Sequence, residues 1–268
     1  MPKIKVQDIH FHYEIAGRGQ PLLFIHSLGS SMRDWERQVP FFSRNHRVVT
    51  VDVRGHGQSD KPAGRYSIAL FASDIAELIR LLGLGPTHVV GISMGGMIAF
   101  QMAVSTPELL KSLVIVNSGP EFILRGIRQK LPFLWRGLII RFMGMRKMGE
   151  ILGKNLFPQP EQEPLRRLIT ERWAQNDRKA YLNSLRAFNG WSVTDRLGDI
   201  RCPALILTAD RDYTPVAYKE AYAAKIPFAK VVAISNSRHL TPLDQPDAFN
   251  QALEAFLANI IATAWIVK

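Results

Sequence analysis

Ser93 stands in the run Gly91-Ile92-Ser93-Met94-Gly95, with an apolar stretch from Thr87 before it and a helix-forming stretch, Ile98 to Ala103, behind it. A serine hydroxyl is a poor nucleophile at neutral pH; it needs a base to take its proton and a third group to orient that base. Strand, serine and helix in that order are the setting in which a Gly-x-Ser-x-Gly run makes a sharp nucleophile-bearing turn. The turn lifts the hydroxyl clear of the sheet and sets it at the positive end of the following helix. Gly91 and Gly95 serve close backbone packing, where a β-carbon would clash. Alone, such a run reads as an ordinary glycine-rich turn; the strand and helix around it make Ser93 a nucleophile.

The base is sought among seven histidines. His239 lies in the polar loop Asn236-Ser237-Arg238-His239-Leu240, just after the apolar run Val231 to Ile234. It fits a chain order of serine, acid, histidine. His10 and His12 belong to a first hairpin, His46 precedes a strand and His88 lies inside the strand that leads to Ser93. His26 and His56 follow strands but precede Ser93, and they read as loop braces. The acid is expected after the strand Leu205 to Leu207, where Asp210 and Asp212 both stand before Pro215. The oxyanion of an acyl-transfer reaction needs two backbone donors, and losing one raises the barrier by about 3 kcal/mol. The Met94 N–H, next after the nucleophile, supplies one.

These groups must be positioned by a sheet. Alternation over Lys3 to Tyr13 predicts a pair of short strands, and continuous apolar runs predict buried parallel strands at 21–25, 47–51, 87–92, 112–116, 204–208 and 230–234. Helices are predicted through Trp35 and Val39, over 67–82 with a stop at Gly83 and Gly85, after Ser93, over 216–224 and from Asp244 to about Ile261. The alternation gives an α/β fold with a doubly wound, mostly parallel sheet, which binds ligands at the carboxyl ends of its strands. From Pro120 to Asp195 the strand rhythm stops, and the chain turns helical, rich in arginine and punctuated by Pro132, Pro158, Pro160 and Pro164. Residues 1–119 and 196–268 are thus expected to form a core, with 120–195 inserted over its active edge as a helical cap.

The stretch Asp210-Arg211-Asp212, with Pro215 three residues on, resembles the Gly-Asp-x-Asp pattern of the α/β-hydrolase superfamily, with Ala209 in place of the glycine. Arg54-Gly55-His56-Gly57-Gln58-Ser59-Asp60 is similar to another of its signatures. The resemblance implies the α/β-hydrolase fold, Asp212 rather than Asp210 as the acid, and Leu28 as the second oxyanion donor. Asp60 is expected as a hydrogen-bonding brace. Family members usually carry His-Gly-x in the oxyanion loop; this chain has His26-Ser27-Leu28-Gly29, which puts a second hydroxyl beside the site. Together with Trp35 and the run Gly91 to Met97, that loop is most similar to the 3-oxoadipate enol-lactonase-like and carboxylesterase members. The implied activity is hydrolysis of a small carboxylic ester or lactone through an acyl-enzyme on Ser93, His239 and Asp212, with no cofactor and no metal. C–C bond hydrolases and cofactor-free perhydrolases use the same triad, but Ser27 and Met97 stand where they commonly carry glycine. Ser93 excludes the aspartate nucleophile of haloalkane dehalogenases. A non-catalytic small-molecule receptor on the same fold is the alternative from another class.

The bulk composition agrees with such a protein. Hydrophobic residues make up 47% and charged residues 21% of 268 positions, as in ordinary soluble domains. A lone cysteine, Cys202, rules out an internal disulfide framework, and a leader-like apolar segment is lacking, which predicts a cytoplasmic protein. No run is long enough for an integral membrane segment. The net charge is +11, and 121–190 carries fourteen basic against six acidic residues, or +8 of it. Nucleic-acid signatures are lacking, so that partner is not expected. The expectation is an apolar cap interior with the basic face outward, and weak, salt-sensitive contact with anionic lipid as a secondary property.

Overall fold

The computed structural model describes residues 3–264. Strands β1 (Lys3–Val6), β2 (Ile9–Ala16), β3 (Gln20–Ile25), β4 (His46–Val51), β5 (Thr87–Ile92) and β6 (Leu110–Val116) build the first part of the sheet, and β7 (Glu121–Phe122) and β8 (Trp191–Ser192) pair apart from it. Strands β9 (Ala204–Ala209) and β10 (Ala229–Ile234) complete an eight-stranded sheet of order β1-β2-β4-β3-β5-β6-β9-β10. β1 with β2 and β2 with β4 are antiparallel, and all other pairs in it are parallel. β5 is buried at every position, as a strand covered on both faces must be.

The helices are α1 (Val39–Phe42), α2 (Ile68–Leu81), α3 (Met94–Ser105), α4 (Ile127–Leu156), α5 (Glu163–Ala174), α6 (Arg178–Arg186), α7 (Val216–Ala223), α8 (Thr241–Asp244) and α9 (Pro246–Ala264). Ser67 caps α2 by accepting from the Leu70 N–H, and α2 buries Phe71, Ile75, Leu78 and Ile79 at helical spacing. Where one helix is expected through Trp35 and Val39, the chain makes a short 3-10 turn, Met32–Trp35, and then α1. Pro40 sits in the first turn of α1, where its missing N–H leaves no intrahelical bond unmade.

Residues between β6 and β9 fold largely as α4, α5 and α6. The detail of this segment goes beyond the helical stretch that the sequence predicts. The two-residue strands β7 and β8 clip the two ends of this segment together, and elements so short leave no periodicity to read. α4 runs through Pro132. Its break falls at Gly144, which sits at φ 84°, a conformation that glycine adopts without strain. Asn176 Nδ2 donates to the Gly29 carbonyl (2.7 Å) and Arg172 pairs with Glu36 (2.6 Å), tying α5 and the turn after it to the loop beyond β3. Among the described residues no helix is long and apolar enough to cross a membrane.

Candidate active site

Ser93 joins β5 to α3 at φ 53°, ψ −113°, a left-handed conformation that a non-glycine residue holds only under constraint. The constraint is visible. The Ser93 N–H donates to the Val116 carbonyl (3.0 Å), and its own carbonyl accepts from the Met97 N–H (3.1 Å) and the Ser118 hydroxyl (2.7 Å). A β-carbon on Gly91 would lie 2.1 Å from the Gly95 oxygen, and one on Gly95 would lie 2.2 Å from the Ile25 oxygen. Only glycine lets β3, β5 and α3 approach this closely.

His239 and Asp212 meet across loops that leave adjacent strands, β10 and β9. His239 Nδ1 lies 2.6 Å from Asp212 Oδ1, which leaves Nε2 as the ring nitrogen for a nucleophile. The other carboxylate oxygen accepts from Lys219 Nζ at 2.6 Å, and that ammonium also donates to the Thr214 carbonyl at 2.6 Å. The Lys219 side chain is 0% and the Asp212 side chain 2% exposed. Burial raises the Asp212 pKa, but bonds from His239 and Lys219 outweigh it and hold the carboxyl below its usual range. Tyr213 lies against the His239 ring, with centroids 4.4 Å apart.

Asp210 does not touch His239. It accepts the N–H groups of Asn236 (2.9 Å) and Ser237 (3.0 Å), fixing the loop that carries the histidine. Asp244 accepts from the Arg238 N–H and the Ser237 hydroxyl, both at 2.8 Å, on the other side of that loop. Asn117 joins the two loops. Its Oδ1 accepts from the Ala209 N–H (2.7 Å), and its Nδ2 donates to the His239 carbonyl (2.9 Å) and the Thr241 hydroxyl (2.7 Å).

In the loop after β3, His26 Nε2 accepts from the Val53 N–H (3.0 Å) and Nδ1 donates to the Ser27 carbonyl (2.7 Å), so this histidine braces two loops. The Ser27 hydroxyl donates to Asp34 (2.8 Å), and both residues line the same cavity as Ser93. Asp60 binds the backbone and ring of His10. Leu28 lines the same cavity as Ser93, and Met94 opens α3 directly behind Ser93.

Ser93, His239, Asp212 and Leu28 share a cavity of about 510 Å³. Its far wall is largely apolar and comes from α4 to α6 and their flanks, through Phe122, Phe133, Leu156, Ile169, Trp173 and Phe188. Arg136 of α4 interrupts that wall. Its guanidinium carbon lies 5.3 Å from the Trp173 ring centre and 5.4 Å from that of Tyr181. Its Nε is buried without a hydrogen-bond partner, and among the described residues it makes no ion pair. The cavity's acids are engaged elsewhere: Asp34 by Ser27 and Ser30, Asp212 by His239 and Lys219, and Glu121 by Arg125 and Thr194. A second cavity, of about 450 Å³, is lined by neither Ser93 nor His239.

Sequence reasoning passed over Lys219, Arg136, Tyr213 and the clamping role of Asn117. A lysine inside a short amphipathic helix and one arginine among fourteen cations carry no signal of burial or direction.

Residues 20–143 match the family model described as the alpha/beta hydrolase fold. The chain is 30% identical over 261 residues to the (E)-2-((N-methylformamido)methylene)succinate hydrolase of Acinetobacter baylyi, covering 92% of this chain and 93% of that protein. It is 24% identical to 3-oxoadipate enol-lactonase 2 of the same organism, over 95% of each. The crystal structure of the enol-lactonase from Burkholderia xenovorans LB400 superposes with a TM-score of 0.88 at 23% identity, covering 96% of this chain and all of that one. On fold, sheet order and relatives alike, the chain belongs to the α/β-hydrolase family.

Proposed function

We propose that the protein hydrolyses a carboxylic ester or lactone through a covalent acyl-enzyme on Ser93. His239 Nε2 takes the Ser93 proton as the oxygen attacks the carbonyl carbon, then delivers it to the leaving alkoxide. A water deprotonated by the same nitrogen releases the acid. Asp212 fixes the tautomer and stabilises the imidazolium, and the Leu28 and Met94 N–H groups hold the oxyanion. The observation that carries this reading is the strained Ser93 turn opening into the same cavity as a histidine whose Nδ1 already engages a buried carboxylate. Residues 120–195 act as a cap, and the substrate lies between it and the sheet edge.

The substrate carries a free carboxylate. Two observations support this: Arg136 faces the cavity without an acidic partner, and the two named relatives act on compounds named as a succinate and an oxoadipate enol-lactone. An arginine over aromatic faces keeps its edge donors free for a carboxylate in the plane of the fork. Turnover of a panel of p-nitrophenyl esters and lactones by wild type and Ser93→Ala tests the chemistry. The expected loss is on the order of a million-fold; retention of more than a few per cent of activity overturns it.

A further inference from the structure

The first half of α4 is amphipathic in the sense opposite to a helix packed on a soluble core. Ile127, Leu131, Leu134, Trp135, Leu138 and Phe142 are all between 44% and 76% exposed. At about 100° per residue they fall within an arc of roughly 100°, a single stripe along some 24 Å of helix. The opposite face points inward: Ile140 is fully buried, and Phe133 and Arg136 line the cavity. Arg128 borders the stripe on one side, and Lys130 and Arg141 border it on the other. Isolated exposed apolar residues need no explanation, but a continuous stripe of this size marks a surface that meets something. The sequence expectation of a basic outer face holds only at the edges of this helix; the outward centre is apolar.

We propose that this face of α4 lies in the surface of a bilayer containing anionic phospholipid. The apolar stripe enters the acyl boundary, Trp135 sits at headgroup level, and the flanking cations reach the phosphates, as an in-plane helix requires. The wider charge agrees, since the segment 121–190 carries +8. A second copy fits the surface poorly. Two such helices packed about a two-fold axis would set like-charged borders against each other, with few acids nearby to offset them. This docking asks nothing of the chemistry at Ser93, so either can fail alone.

The test is co-sedimentation of the full chain with phosphatidylcholine vesicles and with vesicles that also contain phosphatidylglycerol. Binding to the anionic vesicles is expected to be at least about tenfold tighter, and to weaken but persist as salt rises. Leu134→Glu/Leu138→Glu should lose tenfold or more of that binding, and Arg128→Gln/Lys130→Gln/Arg141→Gln should lose the preference for anionic lipid. Unchanged melting temperatures show that both variants fold, because these side chains stand in solvent. A blue shift of tryptophan emission on binding, abolished in Trp135→Phe, places the stripe itself in lipid. Failure to bind anionic vesicles, or binding indifferent to Leu134→Glu/Leu138→Glu, overturns the proposal. So does a lipid-free dimer that the same double variant dissociates, which would assign the stripe to a second copy.

Discussion

Lys219 and Arg136 are cations at one cavity, the first buried behind Asp212 of its wall and the second in the wall itself, and they are held in opposite ways. On the sheet side, Lys219 is fully buried with a carboxylate and a carbonyl on its ammonium. On the helical side, Arg136 rests on Trp173 and Tyr181 with its Nε unbonded. A matched charge in a closed site serves the protein's own geometry, because its partner already answers the desolvation penalty. An unmatched one is left with an interaction to make. The contrast extends to whole regions. The core pairs Arg54 with Asp74 and Asp8 and places His12 against Asp52, whereas α4 turns apolar side chains to the outside.

Breaking the matched side should have the larger consequences. Asp212→Asn removes the carboxylate from both His239 and Lys219, and kcat should fall about ten-thousand-fold, as when a triad acid is neutralised. Asp210→Asn loosens only the loop at Asn236, so its loss should stay below about tenfold; steady-state kinetics on one ester distinguishes the two, and the reverse order would reassign the acid. Lys219→Met leaves Asp212 short of a buried partner, and chemical denaturation should show a loss of roughly 3–5 kcal/mol. A stability near wild type would mean that His239 alone satisfies the carboxylate.

The core also carries an acid liability. Burial pushes the His56 pKa down to about 3, and it pushes that of His88 to about 3 as well. The unfolded chain therefore takes up protons first, so stability is full near pH 7 and falls as pH drops through 6.5 towards 3. At pH 5 each histidine should contribute about 2 kcal/mol of that loss. Denaturant midpoints at pH 7 and pH 5 measure it, and His88→Gln should flatten the difference; a midpoint indifferent to pH would break the account.

On the unmatched side the effect should be smaller and selective. Arg136→Met should lower kcat/KM for the p-nitrophenyl half-ester of a dicarboxylic acid by roughly tenfold to a hundredfold, the scale of one charge-assisted bidentate contact. Turnover of p-nitrophenyl acetate should be untouched, and Arg136→Lys should recover part of the preference. Equal losses on both esters would show that Arg136 only supports the aromatic wall.

The same contrast decided what could be read in the amino-acid sequence. β5, Ser93 and α3 were legible because a buried strand, a tight turn and a helix each impose their own residue pattern. The positions of His239 and Asp212 followed from the ends of neighbouring strands. Lys219 was not legible, since the direction of a side chain on an eight-residue helix depends on what packs beside it. The sense of the α4 stripe was equally hidden: periodicity locates an apolar face but not which way it points. The choice between Asp210 and Asp212 came from family resemblance, and their spacing alone left it open.

Asn117 has a consequence for the order in which the molecule can be completed. One side-chain amide binds the backbone N–H of Ala209 and the carbonyl of His239, residues 92 and 122 positions further along the chain. A growing polypeptide that ends before the 236–241 loop has nothing to offer the Asn117 Nδ2, and contacts this distant form late. Asp212 and His239 would then come into register in one final step, after the strands that carry them have already paired.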